Sequence, residues 1–187
     1  RDCLLSRGLG DVYKRQMIPR VGLRMQLSEI LNDLTYYGRG PEENYRDRRT
    51  SQFIGEYTTP IKDLYEPYIR PQENEHRTDI YWCALTTKQK AGLLFIADRT
   101  FELNASNYLL GSLDSGETID NGAPRTNETN HRHLTDPQPV KQVDMFIDYR
   151  MMGVGGDNSW GAIAHEPYLI RPGVENAIEY GFSIVPF

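Results

Sequence analysis

The chain has 187 residues, of which 39% are hydrophobic and 25% are charged, a composition typical of one globular domain with a sizeable core. Its formal net charge of −5 argues against a nucleic-acid groove, because neutralising phosphates requires clustered Lys and Arg. No apolar run approaches the ~20 residues that span a bilayer, and the two cysteines, Cys3 and Cys83, exclude a disulfide framework.

The first sixteen residues differ in character from the rest of the chain. Residues 1–16 show neither the alternation of a strand nor the apolar stripe of a helix. We interpret them as a non-native scar or a disordered terminus, and residues 17–187 as one domain.

From Ile18 onward, the dominant hydrophobic period is two, which is the period of a β-strand. Residues 21–27 alternate apolar and polar side chains, which predicts a strand with one buried face. Residues 80–85 carry apolar side chains on both faces, which predicts a strand covered on both sides. Residues 87–92 are typical of a turn, and residues 93–97 then form the return strand of a hairpin.

The second half of the chain continues the strand pattern. Residues 143–151 alternate, and a last strand is predicted over residues 178–184. Only residues 101–109 allow a short helix, and residues 111–130 are polar and predict one long loop. We therefore predict an all-β, antiparallel fold of two packed sheets.

Four short segments carry recognisable motifs. They occur at residues 37–48 (YGRGPEENYRDR), 67–74 (PYIRPQEN), 131–134 (HRHL) and 153–160 (GVGGDNSW). In order and spacing they resemble the last domain of the large β-galactosidases of glycoside hydrolase family 2. The resemblance covers about residues 18–187 and implies the C-terminal part of an antiparallel super-sandwich related to galactose mutarotase.

The resemblance also implies an activity. Members of this family hydrolyse terminal β-galactosides with retention, using two glutamates of a (β/α)8 barrel, and this chain has no alternating βα pattern. We therefore expect no catalytic residue here and no hydrolase activity from this chain alone. The family's magnesium and sodium ions are expected on other domains, so this chain should bind no cofactor.

The expected partners follow from the same resemblance. They are a β-galactoside sugar, the preceding barrel and sandwich domains, and further copies in a homo-oligomer, with no nucleic acid and no membrane. A cytoplasmic location is expected, with a periplasmic or secreted one as the alternative.

Trp160 is the strongest candidate for a binding residue. The resemblance implies that it projects into the active site, where its ring can lie against the sugar and its indole N–H can donate a hydrogen bond. The preceding glycines and the turn formers Asp157, Asn158 and Ser159 also favour an exposed aromatic residue on a loop. Alternatively, Trp160 is a core residue. Asp157 and Asn158 are further candidates for substrate binding or for part of a cation site.

The first motif offers a second set of candidates. No helix follows its glycines, so a phosphate loop is not predicted. Glu42, Glu43 and Asp47 could supply an acid/base pair, but neighbouring arginines favour ion pairs. A structural loop is the preferred interpretation, with Asn44 bonding backbone groups and Tyr45 packing.

The histidines allow a metal site or an enzyme of another class. His131 and His133 would share one face of a strand and could bind a metal if Asp136 or Glu128 joined them, or they could be hydrogen-bonded inside the sandwich. An aldose epimerase would pair His131 or His165 with a glutamate. The remaining alternatives are a stand-alone carbohydrate-binding module and a purely structural sandwich with Trp160 buried.

Overall fold

The computed structural model describes residues 17–69, 71–113, 135, 137–158, 162–171 and 178–187. These residues contain seven strands and almost no helix, so the all-β prediction is confirmed. The strands are β1 (Arg20–Ser28), β2 (Asp33–Gly40), β3 (Phe53–Pro60), β4 (Arg77–Thr86), β5 (Gly92–Ser106), β6 (Gln142–Met151) and β7 (Phe182–Pro186). The described helical pieces are one α-helical turn, Leu110–Leu113, and two 3₁₀ turns, Ile61–Asp63 and Glu166–Tyr168.

The described strands form one antiparallel sheet that divides along β5. Its order is β1-β6-β5-β4-β2-β3, with β7 added to β5. Residues 93–96 of β5 pair with both β4 and β7, whereas residues 102–106 pair with β6. The pairing of β4 with β5 shifts between Arg77 and Trp82, as at a β-bulge, which locally bends and twists a strand. The predicted antiparallel pairing is therefore confirmed, and β5 links the two portions of the sheet.

The core follows the predicted alternation. Val143, Met145 and Ile147 of β6 are fully buried, as the period of two requires. Fully or almost fully buried residues on β2, β4 and β5 belong to the same apolar cluster: Leu34, Tyr36, Ile80, Cys83, Leu85, Phe95, Phe101 and Leu103. Cys83 is thus a small buried apolar side chain, and its thiol is not available for a disulfide.

The hairpin between β4 and β5 is confirmed. Thr87 N–H donates to Ala91 O at 2.8 Å, and Lys90 N–H donates to Thr87 O at 2.9 Å. Lys90 has φ of 67°, a left-handed conformation that a tight turn commonly requires.

Two predictions at element boundaries were wrong. Residues 101–106 are not helical, because β5 extends to Ser106 and pairs there with β6. The last strand begins at Phe182 rather than Ile178, since pairing with β5 starts only at Phe182, although Tyr180 still packs on the core. Of the predicted loop at 111–130, residues 111–113 lie in a helical turn and the remainder lies outside the described residues.

The opposite face of the sheet is apolar and partly exposed. Tyr37, Trp82 and Ile96 lie side by side across β2, β4 and β5. Tyr37 is 39% exposed and Ile96 is 42% exposed, as is Val185 of β7. On this face Ala84 is buried and Trp82 is half-buried, so the predicted covering of residues 80–85 is complete on one face and partial on the other within the described part of the chain.

Truncating the core should cost far more than truncating the surface. Leu85→Ala removes a fully buried side chain, and the cavity should lower the free energy of unfolding by about 2–5 kcal/mol. Ile30→Ala is the control, because Ile30 is 61% exposed and the change should stay within about 0.5 kcal/mol. Urea denaturation of the chain measures both, and equal losses would contradict this core.

Candidate functional site

Asp47 of the first motif fastens the glycine-rich segment of the fourth motif. Gly155 N–H donates to Asp47 Oδ2 at 2.8 Å, although the two residues are 108 positions apart. A Cβ added at Gly153 would lie 2.5 Å from the same oxygen, so this close approach requires glycine. Gly153 N–H also donates to Tyr168 O at 2.8 Å. The start of the candidate sugar-binding loop is therefore fixed by Asp47.

The residues on either side of Trp160 come together. A Cβ on Gly156 would lie 2.2 Å from Ala162 O. His165 Nε2 lies 2.7 Å from Asp157 Oδ1, an exposed ion pair when the imidazole is protonated. Trp160 itself lies outside the described residues, so its assignment as a sugar platform stays a prediction. Asp157 and Asn158 are both exposed, and their assignment to substrate or cation binding also stays a prediction.

Glu43 joins the first motif to the second. Its Oε2 accepts from Glu75 N–H at 2.9 Å, and its Oε1 accepts from Tyr68 Oη and Arg48 Nη2. The side chain of Glu43 is 10% exposed. A carboxylate occupied by three donors is a structural anchor rather than a free acid or base.

Asn44 and Tyr45 play the structural roles predicted for them. Asn44 is fully buried, and its amide donates to Arg39 O and Glu42 O while its oxygen accepts from the N–H and hydroxyl of Thr78. Tyr45 is 1% exposed and stacks on His76 with ring centroids 5.1 Å apart. Because Glu43 and Asp47 are also bound to backbone N–H groups, the acid/base interpretation of this motif loses its support.

The structure reveals a buried polar cluster that the sequence did not indicate. His76 is fully buried, with Nδ1 2.7 Å from Asn104 Oδ1 and Nε2 3.0 Å from Glu102 Oε2. Arg20 Nη2 donates to Asn104 Oδ1 at 2.8 Å and to Glu73 Oε1 at 2.9 Å. His76 lies two residues after the end of the second motif, and this proximity was the only signal available in the sequence.

Two carboxyl groups in and beside this cluster have raised pKa values. Burial raises the pKa of Asp148 to about 7, although Arg20 Nε lies 2.9 Å from its Oδ2 and opposes the shift. Burial likewise raises the pKa of Glu75 to about 8, opposed by the hydrogen bond from Ser106 and by the charge of Arg77. Both groups therefore retain protons at pH values where an exposed carboxyl has lost them.

The predicted metal site lies outside the described part of the chain. His131, His133, Glu128 and Asp136 all lie outside the described residues. Among residues that are described, no group of three or more His, Cys, Asp or Glu could hold a metal ion. No helix in the described ranges is both long enough and apolar enough to cross a membrane.

Comparison with protein families gives one match across nearly the whole chain. The family model described as the beta galactosidase small chain matches residues 6–184.

Curated relatives give the same result. A β-galactosidase of Priestia megaterium is 33% identical over 82% of this chain and 13% of its own length. Those of Leuconostoc mesenteroides and Oenococcus oeni are 31% and 33% identical over 92% of this chain and 15% of their own lengths. The chain thus spans about one seventh of these relatives.

Removing the Asp47 anchor should loosen the loop without unfolding the protein. Asp47→Ala deletes the acceptor of Gly155 N–H, so amide exchange at Gly155 should accelerate about ten-fold and the free energy of unfolding should fall by about 1 kcal/mol. Asp63→Ala, on an exposed 3₁₀ turn, is the control. Unchanged exchange at Gly155 in the Asp47 variant would show that the anchor is unimportant.

Stability should fall as the pH rises from about 4.5 to about 8. The folded chain keeps protons on Glu75 and Asp148 that the unfolded chain releases, so the stability present at low pH is lost as the pH rises through the folded-state pKa values. Each group contributes a slope of up to about 1.4 kcal/mol per pH unit. Urea midpoints at a series of pH values measure this slope.

Glu75→Gln should flatten the dependence of stability on pH. The control, Glu29→Gln at an exposed position, should leave this dependence unchanged. A stability that rises across this pH range in the unaltered chain would contradict the buried protonated state.

Proposed function

This chain belongs to the family of the β-galactosidase small chain, and we propose that it is the C-terminal portion of a β-galactosidase in which it completes the sugar pocket. The proposed enzyme removes terminal non-reducing β-D-galactose residues with retention of configuration. The family match over residues 6–184 is the observation that carries this proposal. The linkage of three of the four motifs in space, through Tyr68 with Glu43 and Gly155 with Asp47, supports it.

The contribution of this chain to the pocket centres on Trp160. An indole ring offers an apolar face to the C–H groups of a sugar and one N–H donor to a hydroxyl group. Asp47 fixes the chain just before this residue, and the pair of Asp157 with His165 spans it. A loop held at both ends can present an aromatic ring at little entropic cost, which favours a role in positioning substrate.

The two carboxyl groups that retention requires, about 5–5.5 Å apart, are proposed to lie on another part of the protein. Within the described residues, Glu43 and Asp47 are bound to backbone N–H groups. Asp148 is fully buried and cannot reach a substrate. In this proposal, residues of this chain bind and orient the sugar, while cleavage of the glycosidic bond depends on carboxylates on another part of the protein.

The exposed apolar face supports a further part of the proposal. Tyr37, Trp82, Ile96 and Val185 form a partly exposed surface on one side of the sheet, and apolar patches of this kind commonly mark contact surfaces. We assign this face to contact with the preceding barrel and sandwich domains of the same protein. Homo-oligomer formation by the whole protein is proposed with it.

The cofactor and location follow the family expectation. The described residues do not fit the magnesium and sodium that the resemblance implies, since they form no suitable ligand group. We therefore propose that these ions bind other domains. A cytoplasmic location is proposed, in keeping with the free, buried thiol of Cys83.

A chimeric enzyme tests the role of Trp160. Residues 17–187 would replace the corresponding part of the Priestia megaterium β-galactosidase, and hydrolysis of a nitrophenyl β-galactoside would be measured. Trp160→Ala should weaken galactoside binding about ten-fold and slow turnover. Trp160→Phe should retain part of the galactoside binding that Trp160→Ala loses. The isolated chain should not hydrolyse the substrate.

Val154→Ala is the matched control, because Val154 is an exposed residue of the same segment without an aromatic ring. An active chimera that is indifferent to Trp160→Ala would refute the sugar-platform role. A Trp160→Ala chimera that unfolds without a specific kinetic defect would instead identify Trp160 as a core residue.

A further inference from the structure

An open cleft of about 1100 Å³ lies beside β5, β6 and the segment that leads into β7. This volume is slightly above the range of about 300–1,000 Å³ that is typical of small-molecule sites. Asp98 N–H donates to Gly181 O at 3.0 Å, and Tyr180 O–H donates to Ile147 O at 3.2 Å. These two bonds fasten the residues before β7 to β5 and β6, so this wall of the cleft is built by specific contacts.

Glu102 supplies an acceptor on the wall of the cleft. It is 7% exposed, and its Oε2 accepts from Met151 N–H at 2.6 Å and lies 3.0 Å from His76 Nε2. Its Oε1 has no hydrogen-bond partner in the described part of the chain, and Glu102 is one of the residues that line the cleft. A carboxylate that is almost wholly buried, held through one oxygen and open through the other, is a pre-oriented acceptor for a hydroxyl donor.

The charges that line the cleft are balanced. Its walls carry four arginines and four carboxylates: Arg46, Arg49, Arg99, Arg150, Asp79, Asp98, Glu102 and Glu179. Arg49 and Asp79 form an ion pair with each other at 2.8 Å. Arg46 and Arg99 form no ion pair with any described residue. Donors and acceptors in equal number fit a neutral ligand with many hydroxyl groups better than they fit an ion.

Two tyrosine rings are also part of the lining. Tyr149 and Tyr180 both face the cleft, with ring centroids 6.1 Å apart, and the guanidinium of Arg150 lies 5.1 Å from the centroid of Tyr149. Aromatic rings beside planar polar groups can contact the apolar and the hydroxyl-bearing parts of the same ligand. A saccharide has both parts.

We propose that this cleft binds a mono- or disaccharide, with Glu102 Oε1 accepting from a sugar hydroxyl group and Tyr149 and Tyr180 contacting the ring. Arg46 and Arg99 donate to further hydroxyl groups. This site does not depend on Trp160, and the proposal stands or falls separately from the proposed function.

Amide NMR spectra of the 187-residue chain titrated with lactose test the proposal. Saturable shifts are expected at Thr100 and Gly181, which line the cleft, with a Kd of roughly 1 mM. Glu102→Gln should weaken binding about ten-fold because it removes a charged acceptor. Arg99→Ala should weaken binding about three-fold, and since Arg99 is exposed this variant preserves a test if Glu102→Gln disturbs the fold.

The controls separate the cleft from the Trp160 loop. Lys88→Ala, on the exposed β4–β5 turn, should leave binding unchanged, and Trp160→Ala should leave the shifts at Thr100 and Gly181 intact. Absence of saturable shifts with lactose and galactose, or shifts abolished by Trp160→Ala and insensitive to the cleft variants, would overturn the proposal. Stronger binding of sulfate than of sugar at Thr100 and Gly181 would overturn it as well.

Discussion

Several backbone groups that strand pairing does not satisfy obtain their hydrogen bonds from side chains of one short segment, residues 43–47. Glu43, Asn44 and Asp47 bond the backbone near residues 39–42, at residues 75 and 78, and at residue 155. Irregular chain cannot satisfy its own N–H and C=O groups as a strand does, and an unpaired buried group costs about 1–3 kcal/mol. The segment therefore acts as a junction, and the positions of the second and fourth motifs depend on it. The candidate sugar loop is one of the regions held in this way.

The buried polar cluster behind this junction has a different physical character. Arg20 forms contacts with Glu73, Asn104 and Asp148 from three separate parts of the chain. Charges removed from water are costly unless they are paired, and removing one partner from such a set leaves the others uncompensated. The raised pKa of Asp148 relieves part of this cost, because a neutral carboxyl is cheaper to bury than a charged one. The geometry of this buried cluster therefore depends on whether Asp148 is protonated.

The parts of the fold that could be predicted are those determined by a local pattern of alternating apolar and polar residues. Val143, Met145 and Ile147 show their buried face in the sequence itself, and the turn residues around Lys90 mark the hairpin. The helical interpretation of residues 101–109 failed because pairing with β6, which lies far along the chain, determines the conformation there. Local preference is a weak guide where long-range pairing decides the structure.

The candidate site was also predictable only in part. The roles of Asn44 and Tyr45 could be predicted from the motif, because turn formers beside glycines and an aromatic residue suggest a packed loop. The contact of Asp47 with Gly155 and that of His76 with Glu102 could not be predicted, since they depend on strand register and on the irregular pairing between Arg77 and Trp82. The pairing of β5 with β7 also affects how the chain folds during its synthesis. Residues 93–97 leave the ribosome well before Phe182–Pro186, and at about 5–20 residues per second their free edge waits several seconds for its partner. During that interval the edge is open to pairing with a neighbouring nascent chain, so slower translation of the intervening region would favour misassembly.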